Sequence, residues 1–442
     1  MHIFNFIGAL CLLAATTQAQ DTKTRPFDKP NIIFIMADDL GYSDISCYGS
    51  KTIHTPHIDK LAETGVKCTD FHSNGVVCSP TRAALMTGLY QQRTGITGVV
   101  TAKNHRHTGL DLKEWTMAEA LKERGYQTAM FGKWHLGYAP KFNPVKQGFD
   151  EFKGFVSGNV DYHNHIDQEG YFDWWQQDQL KDEPGYITDL INDHTIDYIR
   201  RKKNQPFCII VNHAAPHYPL QGRKTPGYRV VDEGRTQAGF KVANRPAIYK
   251  EMIEVMDEGI GKIMQELEKQ GIRDNTLVIF TSDNGPAGIG SATPLRGWKG
   301  QLYEGGHRVV GIFNWPAQLP TGKICDTTIT TMDMLPTFLT VAGGKTLPRR
   351  TLDGINVLDA LKGKPITRQP LFWQHKQTIA VRDGHWKLIL DKQKTELYHL
   401  KEDLGENNNL AQKHPEKVER LTKLITKWQT SVSPKTQNQP AK

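Results

Sequence analysis

The chain carries a run at residues 31–36, N-I-I-F-I-M, that is followed almost at once by Asp38 and Asp39. Because the run is apolar on both faces, it predicts a strand at the centre of a parallel sheet, buried on both sides. The carboxyl ends of the strands form the ligand-binding edge of an open α/β sheet, so both aspartates are candidate site residues. Further buried strands are predicted at residues 128–131, 207–211 and 276–280.

Helical patterns alternate with these strands. Residues 115–125 predict one amphipathic helix, and residues 248–270 predict a longer one with Gly271 as its stop. Helices that alternate with buried strands indicate an α/β fold, with a parallel sheet covered by helices on both faces. The apolar stripe of the longer helix consists of Ile248, Met252, Val255, Met256, Ile263 and Leu267.

The C-terminal part has a different pattern. Short strand-like segments occur at residues 378–381 and 386–390, and a last helix is predicted over residues 415–429. This pattern is typical of a small antiparallel sheet with a helix. We therefore expect a main domain over residues 28–364, a small antiparallel α+β subdomain over residues 365–432 and a disordered tail over residues 433–442.

The N-terminus is typical of a secretory signal peptide over residues 1–19. Its apolar run, residues 3–15, is too short to cross a membrane, and cleavage is expected after Ala19. A lipoprotein anchor at Cys11 is the alternative, which Leu10 directly before it disfavours. No later segment is long and apolar enough to cross a bilayer. We expect an exported protein, periplasmic or secreted, with no membrane partner.

The net charge of +8 and the pI of about 9.0 favour acidic partners. The chain has no block of lysines and arginines of the kind that marks a nucleic-acid-binding arm. We therefore expect no nucleic-acid partner. A sulfated polysaccharide would satisfy the same charge.

Residues 78–88, C-S-P-T-R-A-A-L-M-T-G, place a reactive side chain at the start of a predicted helix. Pro80 suits the first turn, because its missing N–H costs nothing there. The free backbone donors and the dipole of that turn favour an anion beside Cys78, and Arg82 can direct its guanidinium at the same anion. The motif predicts a site for an oxyanion such as sulfate or phosphate. A buried structural cysteine is the alternative.

This motif, C-x-P-x-R followed by A-x-L-M-T-G, resembles that of the type I sulfatases, and the resemblance covers nearly the whole chain after Pro30. It implies an alkaline-phosphatase-like α/β fold with residues 28–364 as the catalytic domain. It also implies that a maturation enzyme oxidises Cys78 to formylglycine, which supplies the nucleophile. That conversion leaves four cysteines in the exported chain, and their spacing does not determine whether they pair. They are Cys47, Cys68, Cys208 and Cys325.

Polar residues follow two of the predicted strands. Asp38 and Asp39 follow the first, and Asp283 and Asn284 follow the strand at residues 276–280. If the strands are neighbours, four oxygen donors converge, a set that favours Ca²⁺ or Mg²⁺ over zinc. Each pair alone is also typical of a polar loop or turn. The resemblance implies a site that also includes residue 78, with Ca²⁺ as the expected ion and Mg²⁺ as the alternative.

The string G-K-W-H-L-G at residues 132–137 follows a strand, and an extended backbone would project Lys133 and His135 to one side. A lysine offers charge to a sulfuryl oxygen, and a histidine can move a proton near neutral pH. The resemblance implies that Arg82, Lys133 and Lys299 stabilise charge on the sulfuryl group. It also implies that His217 protonates the leaving oxygen and that His135 takes a proton from the hydrated aldehyde.

Three nearby residues receive supporting roles. We expect His213 to be a hydrogen-bonded supporting residue, and Arg296 and His307 to be structural. The catalytic set implied by the resemblance is therefore Cys78, Arg82, Lys133, His135, His217 and Lys299.

Several strings, among them G-N-V-D-Y at residues 158–162, resemble the N-acetylgalactosamine-4-sulfatase branch of the family. This implies a sulfated glycan substrate, with O4 of galactose or N-acetylgalactosamine as the expected position. The loops at residues 161–182 and 222–244 depart from that branch and are expected to line the sugar subsites. Candidate sugar-stacking residues in the first loop are Tyr162, His163, His165, Trp174 and Trp175.

Other functions remain open at this point. A phosphate-ester or phosphonate hydrolase of the same superfamily would use similar metal and nucleophile geometry. A general arylsulfatase would differ only in the shape of its pocket. A non-catalytic glycan-binding protein would keep Cys78 unmodified.

Overall fold

The computed structural model describes residues 29–233, 243–343 and 349–433. The predicted signal peptide and residues 434–442 of the predicted tail lie outside the described residues. Two sheets organise the described chain, one of eleven strands and one of four.

The larger sheet is mixed, with a parallel centre. Its order is β10-β2-β9-β8-β1-β7-β3-β4-β5-β6, and β11 pairs with β2. The pairs from β8 through β1, β7 and β3 to β4 are parallel, whereas β9 runs antiparallel to both of its neighbours. The strands are β1 Asn31–Ala37, β2 Val66–His72, β3 Gln127–Lys133, β4 Glu151–Phe155, β5 Trp175–Gln176, β6 Gln179–Leu180, β7 Phe207–Asn212, β8 Thr276–Ser282, β9 Arg308–Asn314, β10 Lys323–Cys325 and β11 Ile329–Thr330.

The first predicted strand, now β1, lies between β7 and β8 and is buried along its whole length. Its side chains alternate between two separate hydrophobic clusters, with Phe34 in one and Ile33 and Ile35 in the other. This alternation is why the strand is apolar at both odd and even positions. The central position predicted for it is confirmed.

Helices cover both faces of this sheet. One face packs against α2, α5, α9 and α10, and the other against α1, α6 and α7. The helices are α1 Pro56–Glu63, α2 Cys78–Thr87, α3 Gln91–Thr94, α4 Ala102–His105, α5 Met117–Lys122, α6 Ile187–Lys202, α7 Arg245–Lys269, α8 Glu304–His307, α9 Met334–Val341, α10 Leu358–Leu361 and α11 Pro415–Val432. The predicted α/β class, a sheet between two layers of helices, is confirmed.

Two predicted helices differ in their ends. The helix predicted at residues 115–125 is the shorter α5, because Thr116 and Glu119 form a reciprocal capping box that fixes its start at Met117. The long helix α7 begins three residues earlier than predicted, with Pro246 in its first turn. Its predicted apolar stripe faces the core, with Ile248 only partly buried at the rim.

The C-terminal sheet is antiparallel, as predicted, and α11 packs on it. Its strands are β12 Leu371–His375, β13 Thr378–Asp383, β14 Trp386–Leu390 and β15 Thr395–His399. Arg382 of β13 reaches the main sheet and donates hydrogen bonds from Nη1 and Nη2 to the two oxygens of Asp70, each at 2.7 Å. The two sheets are therefore joined by buried charge as well as by apolar contact.

No helix in the described part of the chain is both long and apolar enough to cross a membrane. The five described cysteines are all free thiols. Four of them are buried, and Cys47 is half-buried.

Candidate active site

The predicted metal residues meet at the carboxyl ends of β1 and β8. The two strands are parallel neighbours in a register that pairs Ala37 with Ser282, so the residues after each strand emerge side by side. The backbone N–H of Asp39 donates to Asp283 Oδ1 at 3.3 Å, and Asn284 Nδ2 donates to Asp39 Oδ1 at 2.8 Å. The structure thus brings Asp38, Asp39, Asp283 and Asn284 together.

Cys78 is the first residue of α2 and is buried beside this group. Its Sγ lies 3.5 Å from Asp38 Oδ1, and Lys299 Nζ donates to the same sulfur at 3.4 Å. Ligand atoms of Asp38, Asp39, Cys78 and His217 lie within 4.8 Å of one another. Residue 78 therefore stands where the predicted metal cluster and the predicted sulfate-binding lysine meet.

Three cations neutralise the buried carboxylates. Lys133 Nζ lies 2.5 Å from Asp38 Oδ2, and Lys299 Nζ lies 2.6 Å from Asp39 Oδ1. The guanidinium of Arg82 donates from Nε and Nη2 to Asp283 Oδ2 at 3.2 and 2.8 Å, and its contact with a bound anion stays a prediction. A carboxylate this deeply buried needs a charged partner, and Arg82 supplies it.

The two predicted catalytic histidines line one cavity with Cys78. His135 Nε2 lies 2.9 Å from the carbonyl of Val100, so it carries the proton and donates, while buried Nδ1 has no partner among the described residues. His217 Nδ1 lies 2.6 Å from the carbonyl of Tyr218, which leaves Nε2 facing Asp39 at 3.5 Å. Each imidazole is therefore held by one nitrogen and offers the other to its surroundings.

His213 is not the hydrogen-bonded residue that we expected. It follows β7 and is fully buried, but neither of its ring nitrogens has a partner among the described residues. Burial lowers the pKa of His213 to about 3, so the ring is neutral. Its backbone N–H donates to the carbonyl of Met36 at 2.9 Å, which continues the strand pairing and fixes the segment that leads to His217.

Burial and charge shift the pKa values of the site in opposite directions. Burial opposes ionisation of Asp39, but the charges of Lys299 and His217 outweigh it and hold the pKa of Asp39 below its usual range. Burial, with Asp38 nearby, raises the pKa of Asp283 to about 6. Burial also raises the pKa of the Cys78 thiol to about 12, so an unmodified thiol would be protonated and a poor nucleophile.

The site residues fit a hard divalent cation. The donors available are carboxylate and amide oxygens, which Ca²⁺ and Mg²⁺ prefer. Asn284 Oδ1 is buried and has no partner among the described residues, although its Nδ2 is hydrogen-bonded. An orphaned buried oxygen among three carboxylates is what a missing oxygen-liganded ion would leave behind.

Backbone strain coincides with the site. Asp39 has φ +63° and His135 has φ +59°, a conformation uncommon for residues other than glycine. Gly158 packs against His135, and a Cβ added there would lie 2.8 Å from His135 Nε2. The wall of the cavity is therefore shaped around the imidazole.

The cavity that contains Cys78 has a volume of about 200 Å³. Three segments to which the sequence analysis gave no catalytic or metal-binding role contribute to its walls: residues 99–102, residues 157–159 and residues 167–169. The last of these belongs to the loop predicted to line a sugar subsite. No sequence signal distinguishes its D-Q-E tripeptide from an ordinary polar turn.

The aromatic residues of that loop do not line the cavity. Tyr162 and Trp174 are buried, and Tyr162 stacks on Tyr186 with ring centroids 5.5 Å apart. His165 lies against Trp174 at 4.9 Å, and Trp175 Nε1 donates to Asp173 Oδ1 at 2.6 Å. These rings hold the loop in place, and the loop reaches the cavity through its polar residues instead.

Comparison with known proteins gives a consistent result. The family model described as Sulfatase matches residues 30–344. The N-acetylgalactosamine-6-sulfatase of Canis lupus familiaris is 32% identical over 384 residues, which cover 81% of this chain and 71% of that protein. Arylsulfatase J of Mus musculus is 31% identical over 414 residues, covering 86% and 67%. The crystal structure of Ps i-CgsB in complex with k-i-k-neocarrahexaose matches with a TM-score of 0.82 at 31% identity, covering 90% of this chain and 92% of that one.

Proposed function

The chain belongs to the sulfatase family, and from that premise we propose that it removes sulfate from a glycan by means of a formylglycine made from Cys78 and a bound divalent cation. Membership of the family makes the protein a sulfuric ester hydrolase with an alkaline-phosphatase-like fold. The observation that carries the proposal is the position of Cys78. It lines the cavity between Lys299 at 3.4 Å and Asp38 at 3.5 Å.

The nucleophile is the hydrated aldehyde of residue 78, formed by a maturation enzyme from the cysteine. The high pKa of the Cys78 thiol argues against direct attack by a thiolate. An aldehyde hydrate offers two hydroxyl groups, one to attack sulfur and one to expel the sulfate afterwards. Neither a thiol nor a serine hydroxyl has the second group, so neither could complete the cycle this way.

The cation is Ca²⁺, with Mg²⁺ as the alternative, held by Asp38, Asp39, Asp283, Asn284 and residue 78. Its chemistry is that of a Lewis acid, which polarises bound oxygens and stabilises negative charge. Burial and the neighbouring carboxylate of Asp38 raise the pKa of Asp283, and a bound cation would favour its ionised form. The unpartnered Oδ1 of Asn284 supports the assignment.

Lys299 and Lys133 supply the positive charge around the sulfuryl group. Burial opposes the charge on Lys299, but the carboxylates of Asp39, Asp38 and Asp283 outweigh it and raise its pKa above the usual value, so the ammonium persists. Such fixed charge acts on the negative charge that develops as the ester bond breaks. Arg82 acts indirectly, because its guanidinium donates hydrogen bonds to Asp283 and thereby orients that carboxylate.

The histidines move the protons. Burial, reinforced by Lys133, lowers the pKa of His135, so the ring is neutral and its unpartnered Nδ1 can accept a proton from residue 78. His217 also lines the cavity, and burial lowers its pKa to about 3, so Nε2 starts without a proton. The ammonium of Lys299, which contacts the same Asp39, therefore supplies the proton for the leaving oxygen, and His217 assists once Nε2 has accepted one.

The substrate is a sulfated glycan. One relative is named for N-acetylgalactosamine 6-sulfate, and one structural neighbour holds a neocarrahexaose. The first substrate to test is a galactose-configured ring sulfated at O4. The second is the same ring sulfated at O6, the position in the name of the relative. Export to the periplasm or the outside of the cell accords with a polymeric substrate of this kind.

The decisive experiment measures free sulfate and free phosphate released from matched esters. The panel contains oligosaccharides with galactose or N-acetylgalactosamine sulfated at O4 or at O6, 4-nitrophenyl sulfate and 4-nitrophenyl phosphate. The protein is made in a host able to form formylglycine, and residue 78 is checked by mass. Sulfate from one glycan isomer establishes the proposal and its position. Phosphate alone would assign the protein to the phosphohydrolases, and sulfate from the aryl ester alone would make it a general arylsulfatase.

A further inference from the structure

The wall of the catalytic cavity carries a carboxylate that no step above uses. Asp167 is 3% exposed and lines the same cavity as Cys78 and Lys299. Its Oδ1 accepts the backbone N–H groups of Glu169 and Tyr171 at 2.8 and 2.9 Å. Its Oδ2 has no hydrogen-bond donor among the described residues. Asp167 Oδ2 is not among the buried atoms that lack a partner, so this oxygen is open to the cavity, where a ligand can reach it.

The turn around Asp167 is rigid. The backbone N–H of Asp167 donates to the carbonyl of Tyr171 at 2.8 Å, which closes the turn on itself. Neighbouring Asn159 accepts from Arg229 Nη2 at 2.6 Å and donates from Nδ2 to Gln168 Oε1 at 3.3 Å. The polar atoms of this wall are therefore held in position before any substrate arrives, which lowers the entropy cost of binding.

The lining of the cavity carries both signs of charge. Lys299 lies 3.4 Å from Cys78 Sγ, and two acidic residues, Asp167 and Glu169, come from the segment at residues 167–169. Burial, with Asp173 nearby, raises the pKa of Asp167 to about 6, so the group is still largely ionised at neutral pH. Arg106 opposes that shift and lies over the ring of Tyr171, with 4.2 Å between Cζ and the centroid.

We propose that Asp167 Oδ2 accepts a hydrogen bond from a hydroxyl group of the sugar ring that bears the sulfate. This inference rests on the proposed function and deepens it. A carboxylate accepts hydroxyl donors strongly but repels anions, so the ring presents a free hydroxyl at this wall and carries neither a carboxylate nor a second sulfate there. The enzyme thereby disfavours rings that carry a further anionic group at the position facing Asp167.

The test compares two substrates that share the sulfate ester and differ in the ring. A monosulfated glycan that the wild type cleaves offers ring hydroxyls, whereas 4-nitrophenyl sulfate has none. The variant D167N keeps one side-chain oxygen, which can still anchor the turn, and replaces the other oxygen with an NH2 group. We expect the KM for the glycan to rise roughly tenfold to a hundredfold with kcat within about threefold, the range for a lost hydrogen bond to a charged group. For the aryl sulfate, kcat/KM should change less than about twofold on the same reasoning.

A second measurement tests the repulsion between Asp167 and a further sulfate group on the ring. The preference of the wild type for a singly over a doubly sulfated form of the same ring should shrink in D167N, since the repelling carboxylate is gone. The matched control is D182N, which removes the same charge from an exposed residue of the same loop. D182N should leave both substrates and the preference unchanged.

Several outcomes would overturn the inference. Equal loss on the glycan and the aryl ester would mean a structural role, and no loss on either would mean that Asp167 does not meet the substrate. A wild type that cleaves the aryl ester but no glycan would refute the sugar contact and leave sulfate hydrolysis standing, whereas failure on every ester would refute the proposed function itself. If D167N does not fold, Q168A tests the same wall, because Gln168 is exposed and lines the cavity. A rise in KM confined to the glycan supports the contact, and no such rise contradicts it.

Discussion

Lys133 Nζ lies 2.5 Å from Asp38 Oδ2, and neither side chain is more than 1% exposed to solvent. Asp38 directly follows β1 and Lys133 is the last residue of β3, and these strands are not neighbours, because β7 lies between them in the sheet. Only a long side chain can cover that distance, which is roughly two strand spacings of about 4.8 Å each. The pair therefore connects a predicted metal ligand at the end of β1 with the ammonium group of a lysine at the end of β3.

Replacement of Lys133 by methionine should reduce kcat by about a hundredfold or more. The variant keeps the length of the side chain but removes a fixed charge from the reacting group, which typically costs this much. The measurement is kcat for 4-nitrophenyl sulfate, with residue 78 confirmed as formylglycine in both proteins. Lys113→Met, at an exposed position, is the control and should keep full activity. A Lys133→Met enzyme with more than roughly a tenth of the wild-type kcat would contradict this role.

Replacement of Cys78 by alanine should abolish turnover and leave the fold intact. The alanine side chain carries no sulfur or oxygen to be oxidised to an aldehyde, and the small buried side chain contributes little packing, so the free energy of unfolding should change by less than about 1.5 kcal/mol. Sulfate release and urea unfolding are measured together. Cys47→Ser is the control, since Cys47 lies outside the cavity and should retain activity. Turnover by Cys78→Ala would remove residue 78 as the nucleophile.

The sequence predicted the strand ends and the motif at residue 78 because both are local. A strand that is apolar on both faces must lie in the interior of the sheet. The residues that follow it then lie at the carboxyl edge, where ligands bind. The partner of Arg82 could not be predicted, because Asp283 is 201 residues away and the motif does not show that burial forces the two together. Asp167 was missed for a related reason, since its neighbours in space are supplied by loops.

In the loop at residues 161–182 the sequence analysis proposed a ligand-binding role for aromatic residues that the structure places outside the cavity. Aromatic side chains both stack on sugars and fill cores, and sequence alone does not separate these uses. In the structure His165 and Trp174 pack against each other with ring centroids 4.9 Å apart and are buried. The loop does reach the cavity, through polar and not aromatic residues, and its role as a sugar subsite stays a prediction.

Removal of the cation should lower the thermal stability of the wild type, and Asn284→Ala should weaken that effect. A bound divalent cation would add attraction to the buried carboxylates beyond that of Lys133, Lys299 and Arg82, and a ligand at 100 times its Kd adds about 2.7 kcal/mol of stability. The measurement is the shift in Tm between chelator and added Ca²⁺ or Mg²⁺, so it does not depend on activity. Asn408→Ala, at an exposed position, should keep the wild-type shift. An unchanged shift in Asn284→Ala would exclude its Oδ1 as a ligand.

Lys387→Met should destabilise the protein by about 3–5 kcal/mol, the usual cost of breaking a buried ion pair. Lys387 Nζ lies 2.9 Å from Glu304 Oε1 and 2.9 Å from Glu406 Oε1, and all three side chains are fully buried between the two sheets. Loss of the lysine leaves both carboxylates without this cation. Urea unfolding measures the change, and Lys392→Met at an exposed turn should stay within about 0.5 kcal/mol of wild type. Similar stability of the two variants would show that the network contributes little.

Glu406 should make stability depend on pH in the direction opposite to an ordinary salt-bridged carboxylate. Burial, with Glu304 nearby and against the pull of Lys387, raises the pKa of Glu406 from 4.5 to about 7. Between these values the folded state binds more protons than the unfolded state, so the contribution of Glu406 is fully present below pH 4.5 and is lost as the pH rises through 7. Glu406→Gln removes this titration. The difference in free energy of unfolding, wild type minus variant, should therefore fall from pH 4.5 to about pH 7.5 in matched urea titrations. A difference that stays constant or rises over this range would mean that Glu406 is ionised throughout in the folded protein.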